Sequence, residues 1–246
     1  MGRTLHIHPD KPALARAGAE LFATLASQAV SSRGRFSVAL SGGSTPRDMY
    51  ALLAGRRDVP WHAVEFFFGD ERMLPPGSPD TNFEMVRVAL FEVIRSAPAQ
   101  IHRIDTSRPA LVAARAAETD LRATLAARGG TPVLDLVLLG VGPDGHTASI
   151  FPGTSASAEQ HALVVATAPS PTPPHVERVT ITLPLINAAR DVVFLVAGAD
   201  KRPVLSDIFA CSGLAAATSS SSASSRYPAA MVREQATWLV ERAAAP

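Results

Sequence analysis

The chain has 246 residues, 47% of them apolar and 18% charged, with a formal net charge of +1. That length and composition allow a sizeable core in one large α/β domain or two small ones, and the mixed charge offers no basic stripe to nucleic acid. A single cysteine, Cys211, excludes an intrachain disulfide and an all-cysteine metal site, and no apolar run long enough to span a bilayer and no signal-type leader is evident, so a cytoplasmic protein with no membrane partner is expected.

Leu5-His-Ile-His8 alternates like a short strand ending at Pro9. His6 and His8 share one face, a conceivable metal pair; with no third ligand beside them they read as solvated edge histidines. From Pro12 to Ser31, Leu14, Leu21, Phe22 and Leu25 recur at helical spacing, and the helix closes near Gly34. Phe36–Leu40 is the next strand, followed at once by Ser41-Gly-Gly-Ser-Thr-Pro46. The glycine pair makes a tight turn, Thr45 is the expected N-cap, and Pro46 takes the first position of a helix through Met49, Leu52 and Leu53. Such a turn either presents free backbone N–H groups to an anion or only caps the helix. It lacks the Gly-Lys-Ser/Thr of a Walker A loop and the last glycine of a nucleophile elbow, which disfavours a serine hydrolase.

Val64–Phe68 is another strand, ending in Gly69-Asp-Glu-Arg72. Three charges straight after a buried strand cannot all serve packing. Arg72 is suited to gripping a phosphate or carboxylate, with a local ion pair as the alternative. A Pro/Gly loop over residues 73–80 precedes a helix opened by Asn82 and carrying Met85, Val88, Ala89 and Ile94. Pro109 to Arg128 is an Ala-rich helix stopped by Gly129-Gly130. Leu134 to Leu139 is an almost unbroken apolar run, read as a strand buried on both faces. It ends in a loop holding Gly140, Gly142, Asp144, Gly145 and His146, whose imidazole is the only plausible base there. Pro152 cuts short any helix begun near Thr147.

Residues 163–167 and 178–183 read as strands, separated by the proline-rich loop Pro169–Pro174. Asp191 to Ala197 is a further buried strand, and Gly198-Ala-Asp-Lys201 opens a helix through Leu205 and Ile208. A lysine in the first turn opposes the helix dipole unless an anion sits there. The serine run Thr218–Ser225 reads as a flexible loop, and Trp238–Val240 as the last strand. The pattern predicts an α/β fold in which Ser41–Thr45, Gly69–Arg72, Gly140–His146 and Gly198–Lys201 all follow parallel strands and meet in one crevice. Their joint content suits a phosphorylated small molecule and acid–base chemistry. The dinucleotide pattern Gly140-x-Gly142-x-x-Gly145 is a rival, but Pro143 breaks the loop and no ribose-binding acid ends the next strand.

Ser41-Gly-Gly-Ser-Thr-Pro46, Gly69-Asp-Glu-Arg72 and Gly142-Pro-Asp-Gly-His-Thr-Ala-Ser-Ile-Phe-Pro-Gly153 together resemble the 6-phosphogluconolactonases. Glu177-Arg-Val-Thr-Ile-Thr-Leu-Pro184, Ala197-Gly-Ala-Asp-Lys201 and the stretch from Tyr227-Pro-Ala to Trp238-Leu-Val-Glu are similar to that family too, in the right order. The resemblance implies a single domain over residues 1–246, a three-layer α/β/α arrangement with a mostly parallel, Rossmann-like central sheet. It implies hydrolysis of 6-phospho-D-glucono-1,5-lactone to 6-phospho-D-gluconate in the oxidative pentose phosphate pathway, by a monomer or small homo-oligomer. A lactone carbonyl is already electrophilic, so the reaction requires neither cofactor nor metal. His146 would activate water, Asp144 would orient the imidazole ring or stabilise the imidazolium, and Asp70 would join the catalytic group. The phosphate would sit among Ser44, Thr45, Arg72 and Lys201, with Asn82 in the same crevice and the Gly43 region or Arg72 facing the oxyanion. Arg178 resembles a family arginine without an assigned role. The related glucosamine-6-phosphate deaminases resemble a pattern with glutamate where this chain has Phe151, and with Asp-Glu-Tyr where it has Asp-Glu-Arg72. A deaminase or isomerase of the same fold and a non-catalytic sugar-phosphate sensor remain the alternatives.

Overall fold

A computed structural model describes residues 3–95, 100–126, 132–210 and 226–246. Its strands, in chain order, are β1 (Thr4–His8), β2 (Phe36–Leu40), β3 (Val64–Phe68), β4 (Asp70–Arg72), β5 (Ile101–His102), β6 (Leu136–Leu139), β7 (Val164–Thr167), β8 (Arg178–Ile181), β9 (Asp191–Val196) and β10 (Thr237–Glu241). Seven of them form one parallel sheet in the order β1-β10-β9-β6-β2-β3-β5. Every residue of β2 and β6 is buried, because apolar side chains leave both faces and helices cover each. The helices are α1 (Lys11–Arg33), α2 (Ser44–Ala54), α3 (Asn82–Val86), α4 (Glu92–Ile94), α5 (Ala110–Ala126), α6 (Ser155–Ala158), α7 (Leu183–Ala188), α8 (Arg202–Ala210) and α9 (Pro228–Met231). A π-helical turn, Arg87–Phe91, joins α3 to α4. The result is the expected three-layer α/β/α arrangement.

Local chemistry sets the element ends. Asp10 caps α1 by accepting the Ala13 N–H at 2.7 Å, a contact worth about 1 kcal/mol. Gly34, at φ 74°, ends the same helix in the left-handed conformation. In the core, β10 and β9 set Trp238 opposite Phe194, with ring centroids 3.8 Å apart. The chain moves outward from β2 through β3 to β5, then returns to β6 on the other side and continues to β9 and β10. Neighbouring β2 and β6 are therefore the point where the winding reverses, and a crevice opens beyond their carboxyl ends.

Four expectations are corrected. Asp70–Arg72, expected only as a charged stretch ending the strand before it, is a strand of its own, β4, which pairs antiparallel with β8 in a separate three-stranded sheet, β4-β8-β7. The two strands expected over residues 163–167 and 178–183 belong to that small sheet, and the chain is already helical at Leu183. Thr45 is not the N-cap of α2: Gly43 is, at φ 101°, and helix begins at Ser44, which leaves Pro46 in the third position. No helix forms near Thr147; Thr147 bridges to Ile150 across a turn with Ala148 at φ 48°. The expected stop at Gly129-Gly130 and the serine run 218–225 lie outside the described residues. Among the described residues, no helix is long and apolar enough to cross a membrane.

Candidate active site

The carboxyl ends of β2, β3, β6 and β9 open onto a cleft of about 420 Å³. Ser44, Thr45, Arg72, Asn82, His146 and Lys201 all line it, as do Gly43 and Asp70. The four polar stretches that follow the buried strands thus meet, because parallel strands bring their ends to one edge.

His146 reaches the cleft from the loop after β6. Its Nδ1 lies 2.6 Å from Asp144 Oδ1, and the same carboxylate oxygen accepts the His146 backbone N–H at 3.2 Å. Burial alone would raise the Asp144 carboxyl, but its hydrogen bond to His146 and the imidazole charge outweigh this and hold it below its ordinary value. The imidazole also packs against Phe151, with ring centroids 4.5 Å apart. Residue 142 must be glycine for this packing, since a Cβ there would lie 2.1 Å from His146 Nδ1. The loop is not followed by a helix, so it lacks the helix N-terminus of a dinucleotide site.

Strands β4 and β8 form one wall. Their register sets Arg72 directly opposite Arg178 and Asp70 opposite Thr180. Like charges facing each other across a strand pair repel unless something negative lies near both. Asp70 supplies part of that charge, with Oδ2 3.9 Å from Arg178 Nη1. Its two oxygens are otherwise engaged: Oδ2 accepts the Ser149 hydroxyl at 2.5 Å and Oδ1 accepts Asn82 Nδ2 at 3.0 Å. Arg72 Nη1 donates to the Asp80 carbonyl at 2.5 Å, while the buried Nε atoms of Arg72 and Arg178 have no hydrogen-bond partner. Burial lowers the Arg178 guanidinium, Asp70 opposes this, and Arg72 adds to it.

The turn after β2 forms the facing wall. Asn82 Oδ1 sits where a Cβ on residue 42 would fall, at 1.9 Å, so Gly42 admits the Asn82 side chain. The buried Tyr50 hydroxyl accepts the Ser41 N–H at 3.0 Å and donates to the Ser41 carbonyl at 2.9 Å, tying α2 to the start of the turn. The first amides of α2 lack intrahelical partners and carry the positive end of its dipole. Lys201, in the 3₁₀ turn Ala199–Lys201 ahead of α8, pairs with Asp200 at 2.8 Å.

Sequence reasoning passed over Ser149, Tyr50 and Thr172, the last a cleft residue from the proline-rich loop. Ser149 lies inside a motif already singled out, whereas the Tyr50 contact with Ser41 and the placing of Thr172 at the cleft depend on how the chain folds. Arg178 was visible but its position opposite Arg72 depends on a strand pairing distant in sequence. His6 and His8 lie away from the cleft on the sheet edge β1, and no third metal-ligating residue joins them among the described residues.

Comparison with known proteins gives a consistent picture. The family model for glucosamine-6-phosphate isomerases/6-phosphogluconolactonase matches residues 9–240. A 6-phosphogluconolactonase of Nostoc sp. is 38% identical, with 99% of this chain and 98% of that protein covered. One from Rattus norvegicus is 36% identical, with 93% and 88% covered. The solved 6-phosphogluconolactonase of Trypanosoma brucei superposes with a TM-score of 0.83 at 31% identity, over 98% of this chain and 97% of that one.

Proposed function

Because the chain belongs to the family of glucosamine-6-phosphate isomerases and 6-phosphogluconolactonases, we propose that it hydrolyses 6-phospho-D-glucono-1,5-lactone to 6-phospho-D-gluconate, the lactone-opening step of the oxidative pentose phosphate pathway. Residues 1–246 act in this reading as one domain. The observation that carries the catalytic assignment is the imidazole of His146, which lines the cleft, 2.6 Å from Asp144 and packed against the Phe151 ring.

A proton on Nδ1, shared with the Asp144 carboxylate, leaves Nε2 as the basic nitrogen. Nε2 takes a proton from a water molecule as the water oxygen attacks C1 of the lactone. The carbonyl π pair moves onto oxygen, giving a tetrahedral oxyanion. When that intermediate collapses, the bond from C1 to the ring oxygen breaks and the imidazolium returns its proton to the departing oxygen. The chain supplies positioning and charge, and no covalent enzyme intermediate is needed.

The phosphate is assigned to the amides at the start of α2, with Ser44, Thr45 and Lys201, and to Arg72. Arg178 extends that positive wall, which the repulsion between the two facing arginines and their unpartnered Nε atoms support. Asp70 and Asn82 orient the wall, since their polar atoms engage each other, Ser149 and Arg178. The backbone near Gly43 is assigned to the oxyanion. Phe151, whose ring packs on His146, stands where the deaminase pattern has a glutamate, which favours the lactonase over the deaminase of the same family. The test is a coupled assay: lactone generated by glucose-6-phosphate dehydrogenase should disappear faster than by spontaneous hydrolysis, and ammonia should not be released from glucosamine 6-phosphate. Ammonia release with no acceleration of lactone loss would reverse the choice.

A further inference from the structure

Strand β4 alternates, so Asp70 and Arg72 face the cleft and Glu71 between them faces away. Glu71 is only 1% exposed. Its Oε1 accepts the backbone N–H of Arg72 at 2.8 Å and of Asn82 at 2.7 Å, and its Oε2 accepts the N–H of Phe83 at 2.7 Å. The last two are the opening amides of α3, which the helix itself leaves without partners. One carboxylate therefore joins β4 to the start of α3, and two of the three residues it holds carry cleft side chains. Asn82 passes the constraint on: its Nδ2 donates to the Asp70 carbonyl at 2.8 Å, and its Oδ1 fills the space left by Gly42.

Three backbone amides, rather than a lysine or arginine, hold the carboxylate, and burial pushes it up to about 7. An apolar side chain of similar volume would leave those amides without an acceptor. Glutamate does what no apolar residue can, which is to fix the relative position of two separate backbone segments through three directional bonds.

We propose that Glu71 is a positioning residue for anion capture: by joining β4 to α3, its carboxylate holds the Arg72 guanidinium and the Asn82 amide in register on one wall of the cleft. The inference rests on the reading of the cleft as a phosphosugar site, but it requires only that the cleft bind an anion. The experiment compares wild type, Glu71→Gln and Glu71→Asp in the full chain. Inorganic phosphate is titrated calorimetrically, lactone hydrolysis is measured in parallel, and circular dichroism monitors the fold. Glutamine keeps the volume but turns an N–H2 group toward one of the amides. Folded Glu71→Gln should bind phosphate about tenfold more weakly, the scale of one charge-assisted hydrogen bond gone slack. Its KM should rise in step while kcat stays within about threefold, and Glu71→Asp, which keeps the charge, should recover part of the loss. Unchanged phosphate affinity in a folded Glu71→Gln, no measurable affinity in wild type, or failure of both variants to fold would each overturn the proposal. Weakened phosphate binding in the variant, with a wild type that does not hydrolyse lactone, would support the positioning role and sink the lactonase reading instead.

Discussion

Asp144 and His146 are joined twice, through one carboxylate oxygen that meets both the imidazole Nδ1 at 2.6 Å and the histidine's own N–H at 3.2 Å. The ring is thus fixed relative to its own backbone, and the carboxylate selects which nitrogen carries the proton. Asp144→Asn tests this: an amide N–H donating to Nδ1 would place the proton on Nε2 and remove the base. The expected result is a kcat about 100-fold or more below wild type, with an unchanged circular dichroism spectrum. Wild-type kcat in Asp144→Asn would show that the pair has no part in the chemistry.

Gly142 gives a test of packing behind the same ring. A methyl group there would lie 2.1 Å from His146 Nδ1 and 2.6 Å from Asp144 Oδ1, so one of them must move. Gly142→Ala should lower kcat at least about tenfold and cost roughly 1–3 kcal/mol of stability, the range for overpacking. Urea unfolding and steady-state kinetics measure the two effects; retention of full activity would mean that the imidazole tolerates displacement.

Lys201 is assigned to the end of the substrate that does not react. Lys201→Ala should raise KM about tenfold and leave kcat within about threefold, because the lost contact is the same in ground and transition states. A fall in kcat at constant KM would move the lysine to the reacting carbonyl.

Glu71 links the fold to pH. Burial, the largest influence, raises its carboxyl from 4.5 to about 7; the amides of Asn82, Phe83 and Arg72 pull it down, and Asp70 raises it further. A folded-state value above the unfolded one means that the folded chain holds this proton more tightly. Its contribution to stability is then fully present below pH 4.5 and is lost as pH rises through about 7. In urea unfolding between pH 5 and 7, wild type should lose stability relative to Glu71→Gln, by at most about 1.4 kcal/mol per pH unit. A difference that does not vary over that interval would place the carboxyl in its ordinary range.

The parts legible in the sequence were those whose environment is uniform. Phe36–Leu40 and Val64–Phe68 are strands over the expected residues because apolar side chains leave both faces of a parallel sheet. The meeting of four polar stretches followed from that sheet alone. Strand β4 was hidden because its charged residues have unlike surroundings: Asp70 and Arg72 line the cleft, and Glu71 is sunk among backbone amides. Thr45 is a good N-cap by residue type, but the glycine two places earlier, at φ 101°, sets the helix start. Arg178 acquires its setting from Arg72 across a strand pair separated by more than a hundred residues, beyond the reach of local pattern.

The central claim is that His146 activates the attacking water, and one rate comparison addresses it directly. Freshly generated 6-phosphogluconolactone is followed with wild type, with His146→Ala and without enzyme. The account predicts that His146→Ala is folded, binds phosphate like wild type, and turns over about 100-fold more slowly or worse. Hydrolysis by folded His146→Ala at the wild-type rate would contradict it.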